Sequence, residues 1–307
     1  MNFCVSIVTP SYNQVRFLER TILSVLSQAG DFCLEYIIVD GGSTDGSVGI
    51  IKKYEGLLQG GSFPVRCKGI DYRWISEKDS GQAEAINKGL KMAKGEVWTY
   101  INSDDVLEPG TCAAVLEVFA EKPEVDVVYG SCRIIDENDG FVRMLRVGDF
   151  NLASLWEFNI LGQQGVFLRR RVLERHGYFN QSFRYAFDYE YWLRISLGSR
   201  FYRIPRVNAS FRIWKESKTG GGELKFKEEQ IRILRGYFSR EKKKTPPESV
   251  LKCRKRIFAR YYGSAARHSF RERRFRRGIV YGLKAVLCYP IQLTALIIEY
   301  LTMGFER

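Results

Sequence analysis

Along the first two-thirds of the chain, short apolar runs alternate with segments whose apolar residues recur every three or four positions. The run at 5–8 predicts a strand. Segment 15–27 carries Leu18, Ile22 and Val25, with Leu26 beside them, at the spacing of a helix with one apolar face. The pairing repeats as strand 36–39 with helix 47–58, strand 72–75 with helix 82–93, and strand 97–101 with a helix opened by Pro109 and running towards Phe119. A fifth strand is predicted at 125–128. Strand-then-helix units with short connections imply an α/β fold, a mostly parallel sheet flanked by helices.

Beyond Tyr129 the pattern breaks into β-like pieces at 133–136 and 141–147, and strands at 165–168 and 201–204 flank a helix at 188–197. The glycine run 220–222 reads as a hinge or helix start. Segment 242–247, with three lysines and two prolines, discourages a continuous helix and reads as a linker. Helices are predicted at 249–267 and 278–301. This divides the chain into an α/β domain over 1–220 and a helical extension over 221–307.

Composition adds to this in three ways. A hydrophobic fraction of 45% over 307 residues suffices for one large domain with an appendage. Seven cysteines, an odd number with no CxxC pair, and two histidines argue against a Cys/His zinc site and for buried free thiols in a reducing cytoplasm. The N-terminal stretch lacks a basic segment followed by an apolar run, so no leader peptide is expected.

The net charge of +13 is concentrated: residues 252–277 hold eleven Lys/Arg against one acid, Glu272. Arg271, Arg273, Arg274, Arg276 and Arg277 precede an uncharged run at 285–298 that has Pro290 within it and is too short to span a bilayer. Basic residues beside an apolar helix suit the surface of an anionic membrane. The alternative is a helix packed on the domain with its arginines in water. Charge alone would also allow nucleic acid, but no recognition module accompanies it, and none is expected as a partner.

The candidate chemistry lies where carboxylates meet strand ends. Strand two ends in Asp40 of VDGGSTDG, strand three runs into Asp79 of SEKDSGQ, and strand four ends in Asn102-Ser103-Asp104-Asp105. Ligands of open parallel sheets bind beyond the carboxyl ends of the strands. Asp, Gly and Ser are also plain turn formers, which is the competing reading of each position. No GxxxxGK[ST] loop is present and GGSTDG does not fit GxGxxG, which argues against P-loop and dinucleotide sites. An acidic crevice accepts a diphosphate when a carboxylate holds Mg²⁺ or Mn²⁺ that bridges to the phosphates.

The segments VSIVTPSYNQVRFLERTILSVLSQ, IIVDGGSTDGS, WISEKDSGQAEAINKGLKMAKGEV and INSDD resemble, in this order, successive blocks of glycosyltransferase family 2, and the likeness spans about 5–219. The resemblance implies a GT-A fold and inverting transfer from a nucleotide diphosphate; with the basic tail, the expected reaction moves a hexose-type sugar to a saccharide or lipid-linked saccharide at the inner face of the cytoplasmic membrane. It implies Thr9, Pro10 and Asp40 around base and ribose, with Tyr12, Asp79, Gln82, Asn102 and Ser103 also on the nucleotide sugar. Asp104 matches the last Asp of the metal-binding DxD motif, whose first Asp is Asn102 here; Asp105 shares the metal or orients the donor sugar. FNQSFRYAFDYEYWLRI resembles the acceptor-side block. It offers Asp188 as general base, with Glu190 as competitor and Phe187 where many relatives have Glu; Asp188 could equally cap its helix. Gln164 would border the acceptor. Arg212, Lys218 and Thr219 of SFRIWKESKT would contact the diphosphate, with Trp214 where relatives often carry a metal-touching His. A nucleotidyltransferase, or an inactive sugar-nucleotide-binding protein on the same fold, are the rival readings.

Overall fold

The computed structural model describes residues 3–218, 222–239 and 246–289. Its first half follows the alternating pattern: β1 (Cys4–Ser11), α1 (Val15–Leu26), β2 (Cys33–Asp40), α2 (Ser47–Gln59), β3 (Gly69–Ser76), α3 (Gln82–Met92) and β4 (Val97–Tyr100). These strands pair in parallel in the order β3-β2-β1-β4, which brings the ends of β1, β2 and β4 to one edge. Both faces of β1, β2 and β4 are covered, so these strands are buried on both sides, whereas β3 at the edge is only partly covered. Val8, Ile37 and Val39 pack towards α3, whereas Ile7, Tyr36 and Ile38 pack towards α1. A side chain at Gly89 of α3 would collide with Val8, so glycine sets the close approach of that helix to the sheet.

The second half departs from a simple parallel order. After β5 (Val106–Leu107) and α4 (Thr111–Glu121), the predicted pieces at 125–128 and 133–136 are one strand, β6 (Val127–Ile135), hairpinned to β7 (Phe141–Leu145). The fifth predicted strand is not the neighbour of β4. Following α5 (Leu152–Glu157), β8 (Val166–Arg169) inserts between β4 and β6, antiparallel to both. α6 (Arg170–His176) and α7 (Phe187–Ser196) lead to β9 (Phe201–Arg212), which runs well past the predicted 201–204. Pro205 has no amide hydrogen to donate, and the ladder with β6 slips there, between Arg203 and Val207, before resuming to Arg212. β9 also pairs with β5 and so delivers the segment after Arg212 to the site edge.

The C-terminal helices are α8 (Glu223–Phe238), α9 (Glu248–Lys252), α10 (Arg254–Arg271) and α11 (Phe275–Cys288). α8 and α10 bury Leu234, Ile257, Tyr261 and Ala265 in the same apolar cluster as Trp156 and Tyr189. Residues 242–245 of the predicted linker, Thr219, and most of the apolar run at 285–298 lie outside the described residues; Pro247 of the linker stands at the start of α9. All seven cysteines are free; Cys112 and Cys132 are buried as expected of structural thiols, but Cys33 is exposed.

Candidate active site

The strand ends open onto a cavity of about 980 Å³. On one side, Asp40 closes β2 and is fully buried, because its own loop consumes its carboxylate: Oδ2 accepts from the amides of Gly42 (3.1 Å) and Ser43 (2.9 Å) and from Ser76 Oγ (2.7 Å), and Oδ1 from Ser43 Oγ (2.5 Å). Asp40 thus shapes the loop, and Gly41 and Gly42 form the wall. Thr9 is likewise buried, its hydroxyl 3.1 Å from that of Tyr36, while Pro10 and Tyr12 face the cavity, Tyr12 at 62% exposure. Asp79 lines the cavity opposite Gly41, where a Cβ would lie 2.8 Å from Asp79 Oδ2. Only glycine permits that approach.

At the end of β4 the two neighbouring acids part. Asp105 is fully buried, and its oxygens accept from the Arg212 amide (2.9 Å), Gln164 Nε2 (3.0 Å) and Asn102 Nδ2 (2.9 Å). Burial, and secondly the charge of Asp104, push its pKa well up. Asp105 therefore ties β4, β9 and the Gln163–Gly165 turn together from behind the cavity wall. Asp104 lines the cavity, and its Oδ2 accepts the indole N–H of Trp214 at 2.9 Å. An indole nitrogen donates only, so Trp214 cannot ligate a metal where a histidine could. Among the described residues there is no group of three or more His, Cys, Asp or Glu able to hold a metal ion. One cavity-facing carboxylate still fits Mg²⁺ or Mn²⁺, which needs few protein ligands when phosphates and water complete its shell.

A polar relay links the segment after β9 to this turn. Lys218 Nζ donates to Gln82 Oε1 (2.5 Å), Gln82 Nε2 to Asn102 Oδ1, and Asn102 to Asp105. Burial pulls the Lys218 pKa down to about 8, Arg184 adds to the fall, and Asp188 opposes it. Arg212, expected at the diphosphate, is instead only 2% exposed. Its guanidinium bonds the carbonyls of Asp104 and Asp136 (both 2.8 Å) and pairs with Asp139, stacked over Phe17. It buttresses the site from below and does not line the cavity.

Asp188 faces the same cavity from the first turn of α7. It is not the cap of that helix. The N-cap residue is Ala186, and the amides of Arg184, Tyr185 and Ala186 are taken by Glu229 of α8 at 2.9, 2.7 and 2.9 Å. Glu229 thus fixes the segment leading into α7, and the Asp188 carboxylate accepts from the Tyr189 amide (2.7 Å). Burial raises its pKa to about 6, against the opposing effect of that bond and of Lys218. Glu190 points away and is bound by Arg194 at 2.9 Å. The contributions of Glu229 and of the α8 and α10 residues on the wall are not legible in the sequence motifs, since they come from helices 35 to 80 residues beyond Asp188.

Residues 6–189 match Glycosyl transferase family 2. An uncharacterized glycosyltransferase of Nostoc sp. is 35% identical over 135 residues, 44% of this chain; the chain spans 38% of that relative's length. Among solved structures, TarS 1–349 of S. aureus in complex with UDP-GlcNAc superposes with TM-score 0.66 at 17% identity, over 96% of this chain and 84% of the other. The mannosyltransferase PcManGT of Pyrobaculum calidifontis, in complex with GDP-Man and Mn²⁺, gives 0.65 at 18%, over 99% and 80%. The match to the family covers more than half of the chain, the strand-end acids Asp79 and Asp104 line one cavity, and its fold is shared with glycosyltransferases of GT-A type: the chain belongs to glycosyltransferase family 2.

Proposed function

We propose that the protein transfers a sugar from a nucleotide diphosphate to a hydroxyl of a saccharide or lipid-linked saccharide, by direct displacement with inversion. The observation that carries this reading is one cavity with Asp104 and Asp188 on its wall and the Lys218 ammonium among them. Pro10, Tyr12, Gly41, Gly42 and Asp79 would receive base and ribose, on a loop held by Asp40 and Thr9. Lys218, already close to Gln82, would meet the diphosphate. Asp104 would hold the divalent cation, whose charge offsets that developing on the departing diphosphate. Asp188 takes the proton of the attacking hydroxyl, a role that suits a carboxylate with a pKa near the working pH. That two structural neighbours are complexes with GDP-Man and Mn²⁺ and with UDP-GlcNAc supports a donor of this class. A panel of nucleotide sugars with Mn²⁺ should contain one that raises the melting temperature and releases nucleoside diphosphate once a saccharide acceptor is added. If no nucleotide sugar binds, the reading fails.

Residues 1–220 would then be the catalytic unit and 221–307 its helical extension. Among the described residues no helix is long and apolar enough to cross a membrane. Yet α11 exposes Phe275, Ile279, Val280, Leu283 and Leu287, the last at 83%, an apolar stripe with spacing of three to four. Arg273, Arg274, Arg276 and Arg277 flank it. Such a helix suits the plane of an anionic bilayer, here the cytoplasmic leaflet, each basic residue adding about 1 kcal/mol. The full chain should sediment with phosphatidylglycerol vesicles and hardly with phosphatidylcholine vesicles. An Ile279→Asp, Leu283→Asp double variant should reduce that binding about tenfold or more. Absence of binding by the unaltered chain, or equal binding by the double variant, would dismiss the membrane role.

A further inference from the structure

The cavity continues past Asp188 along the C-terminal helices. Glu223, Phe226, Lys227 and Gln230 stand at i, i+3, i+4 and i+7 on α8, Ser264 and His268 at i and i+4 on α10, and all six line it. α8 therefore has two inward faces. One, with Leu224, Ile231 and Leu234, is apolar and packs in the core as a buried helix face should. The other sets Glu223, Lys227 and Gln230 beside Phe226; Glu223 is exposed, but Lys227 is half-buried, and desolvating a charge is costly unless something compensates it.

On this second face Lys227 has no carboxylate in direct contact among the described residues. His268 Nδ1 lies 2.6 Å from Glu223 Oε2, so the carboxylate there is engaged. Lys227 donates to the neutral amide of Gln230 at 3.1 Å, and its ammonium lies 5.6 Å from the centre of the Tyr261 ring. It pairs with no carboxylate among the described residues. Burial lowers its pKa; Glu223 counters and Arg267 adds to the fall. Beside it, the rings of Tyr185 and Phe226 meet edge to face at 5.3 Å, joining the start of α7, which holds Asp188, to the face of α8 that holds Lys227. Half-buried aromatic rings on a cavity wall, as these are, can take the C–H face of a sugar ring.

We propose that this stretch is an acceptor subsite that selects a saccharide bearing an anionic group, a carboxylate or a phosphate, received by Lys227 while Tyr185 and Phe226 carry the sugar ring. The inference rests on the glycosyl-transfer reading of Asp188 and specifies the substrate class of that site. The anion gives the half-buried Lys227 ammonium a charged partner in contact, and charge-assisted hydrogen bonds are the stronger kind.

The test uses the full chain with its donor cradle saturated by Mn²⁺ and the nucleoside diphosphate that binds it. Methyl glucuronide, glucose 6-phosphate and neutral methyl glucoside are then titrated calorimetrically. At least one anionic probe should bind about tenfold more tightly than the glucoside. Preference for the glucuronide indicates a uronic-acid acceptor, and preference for the phosphate a phosphate-bearing one. Lys227→Met and Lys227→Gln should erase the preference, and Lys227→Arg should retain most of it, all with unchanged nucleotide affinity. Equal binding of the three probes to the unaltered chain, or a preference that survives both neutral variants, overturns the proposal. Failure of the nucleotide itself to bind would instead overturn the donor reading, so the two failures are distinct.

Discussion

Asp188→Asn should slow sugar transfer by about 10²–10⁴-fold while leaving nucleotide-sugar affinity nearly unchanged. The asparagine keeps the size of the side chain and loses the ability to accept a proton. The helix it stands on should be undisturbed, because Glu229, not Asp188, satisfies the amides ahead of α7. The carboxyl titrates at about 6, raised chiefly by burial, so activity of the unaltered enzyme should fall as pH drops through that value and the base becomes protonated. Stability follows the opposite sense. With a folded pKa above the unfolded value of about 3.9, folding takes up a proton between the two, and stability declines as pH rises across that window. At pH 7 the asparagine variant is free of that penalty, so its melting temperature should equal or exceed that of the unaltered chain. Nucleoside diphosphate release under saturating donor, with calorimetric donor binding alongside, separates these outcomes. Near-normal turnover would show that another group takes the proton.

Which parts of this site could be read from the chain follows from how far each contact reaches. β1 to β4 and their helices were legible because each strand-helix unit is continuous, and its period is set by burial on one or two faces. The same locality exposed Asp40, Asp79 and Asp104 as strand-end acids. What each acid does was less legible. Asp40 and Asp105 turn inward because nearby amides, hydroxyls and Gln164 supply donors, and nothing in the VDGG or NSDD strings records those partners. Arg212 reads as a free cation in a loop, but β9 continues through its Pro205 slip and carries it into a buried ladder position beside Asp139. β8 enters the sheet between strands that precede it by tens of residues, a long-range pairing that no local period encodes. Lys227 had a weak signal available: Glu223, Lys227 and Gln230, with Phe226 among them, share an i, i+3, i+4, i+7 face of α8 beside an apolar face, and a helix with two patterned faces has two neighbours to satisfy.

Asp104→Ala should weaken nucleotide binding in the presence of Mn²⁺ by about 3 kcal/mol, roughly a hundredfold, and leave it equal or tighter in a chelator. The reversal is what makes the result specific. With the cation present, Asp104 is the cavity-facing carboxylate at the end of β4 that would bring it to the diphosphate, and the neighbouring acid, Asp105, is buried with chain donors on both oxygens. Trp214 supplies a hydrogen to Asp104 and has no lone pair to offer a metal, so the segment after β9 cannot substitute through that residue. Without the cation, the same carboxylate repels the diphosphate, and its removal relieves that repulsion. Loss of structure would weaken binding under both conditions, so comparison across the two isolates the metal's part, and Asp104→Asn, which keeps an acceptor for the Trp214 N–H, serves as the second variant. If Mn²⁺ continued to strengthen nucleotide binding in both variants to the same degree, Asp104 would not be the metal's anchor. The cation would then have to be held by phosphates and water alone, or by a carboxylate that turns from its present partners.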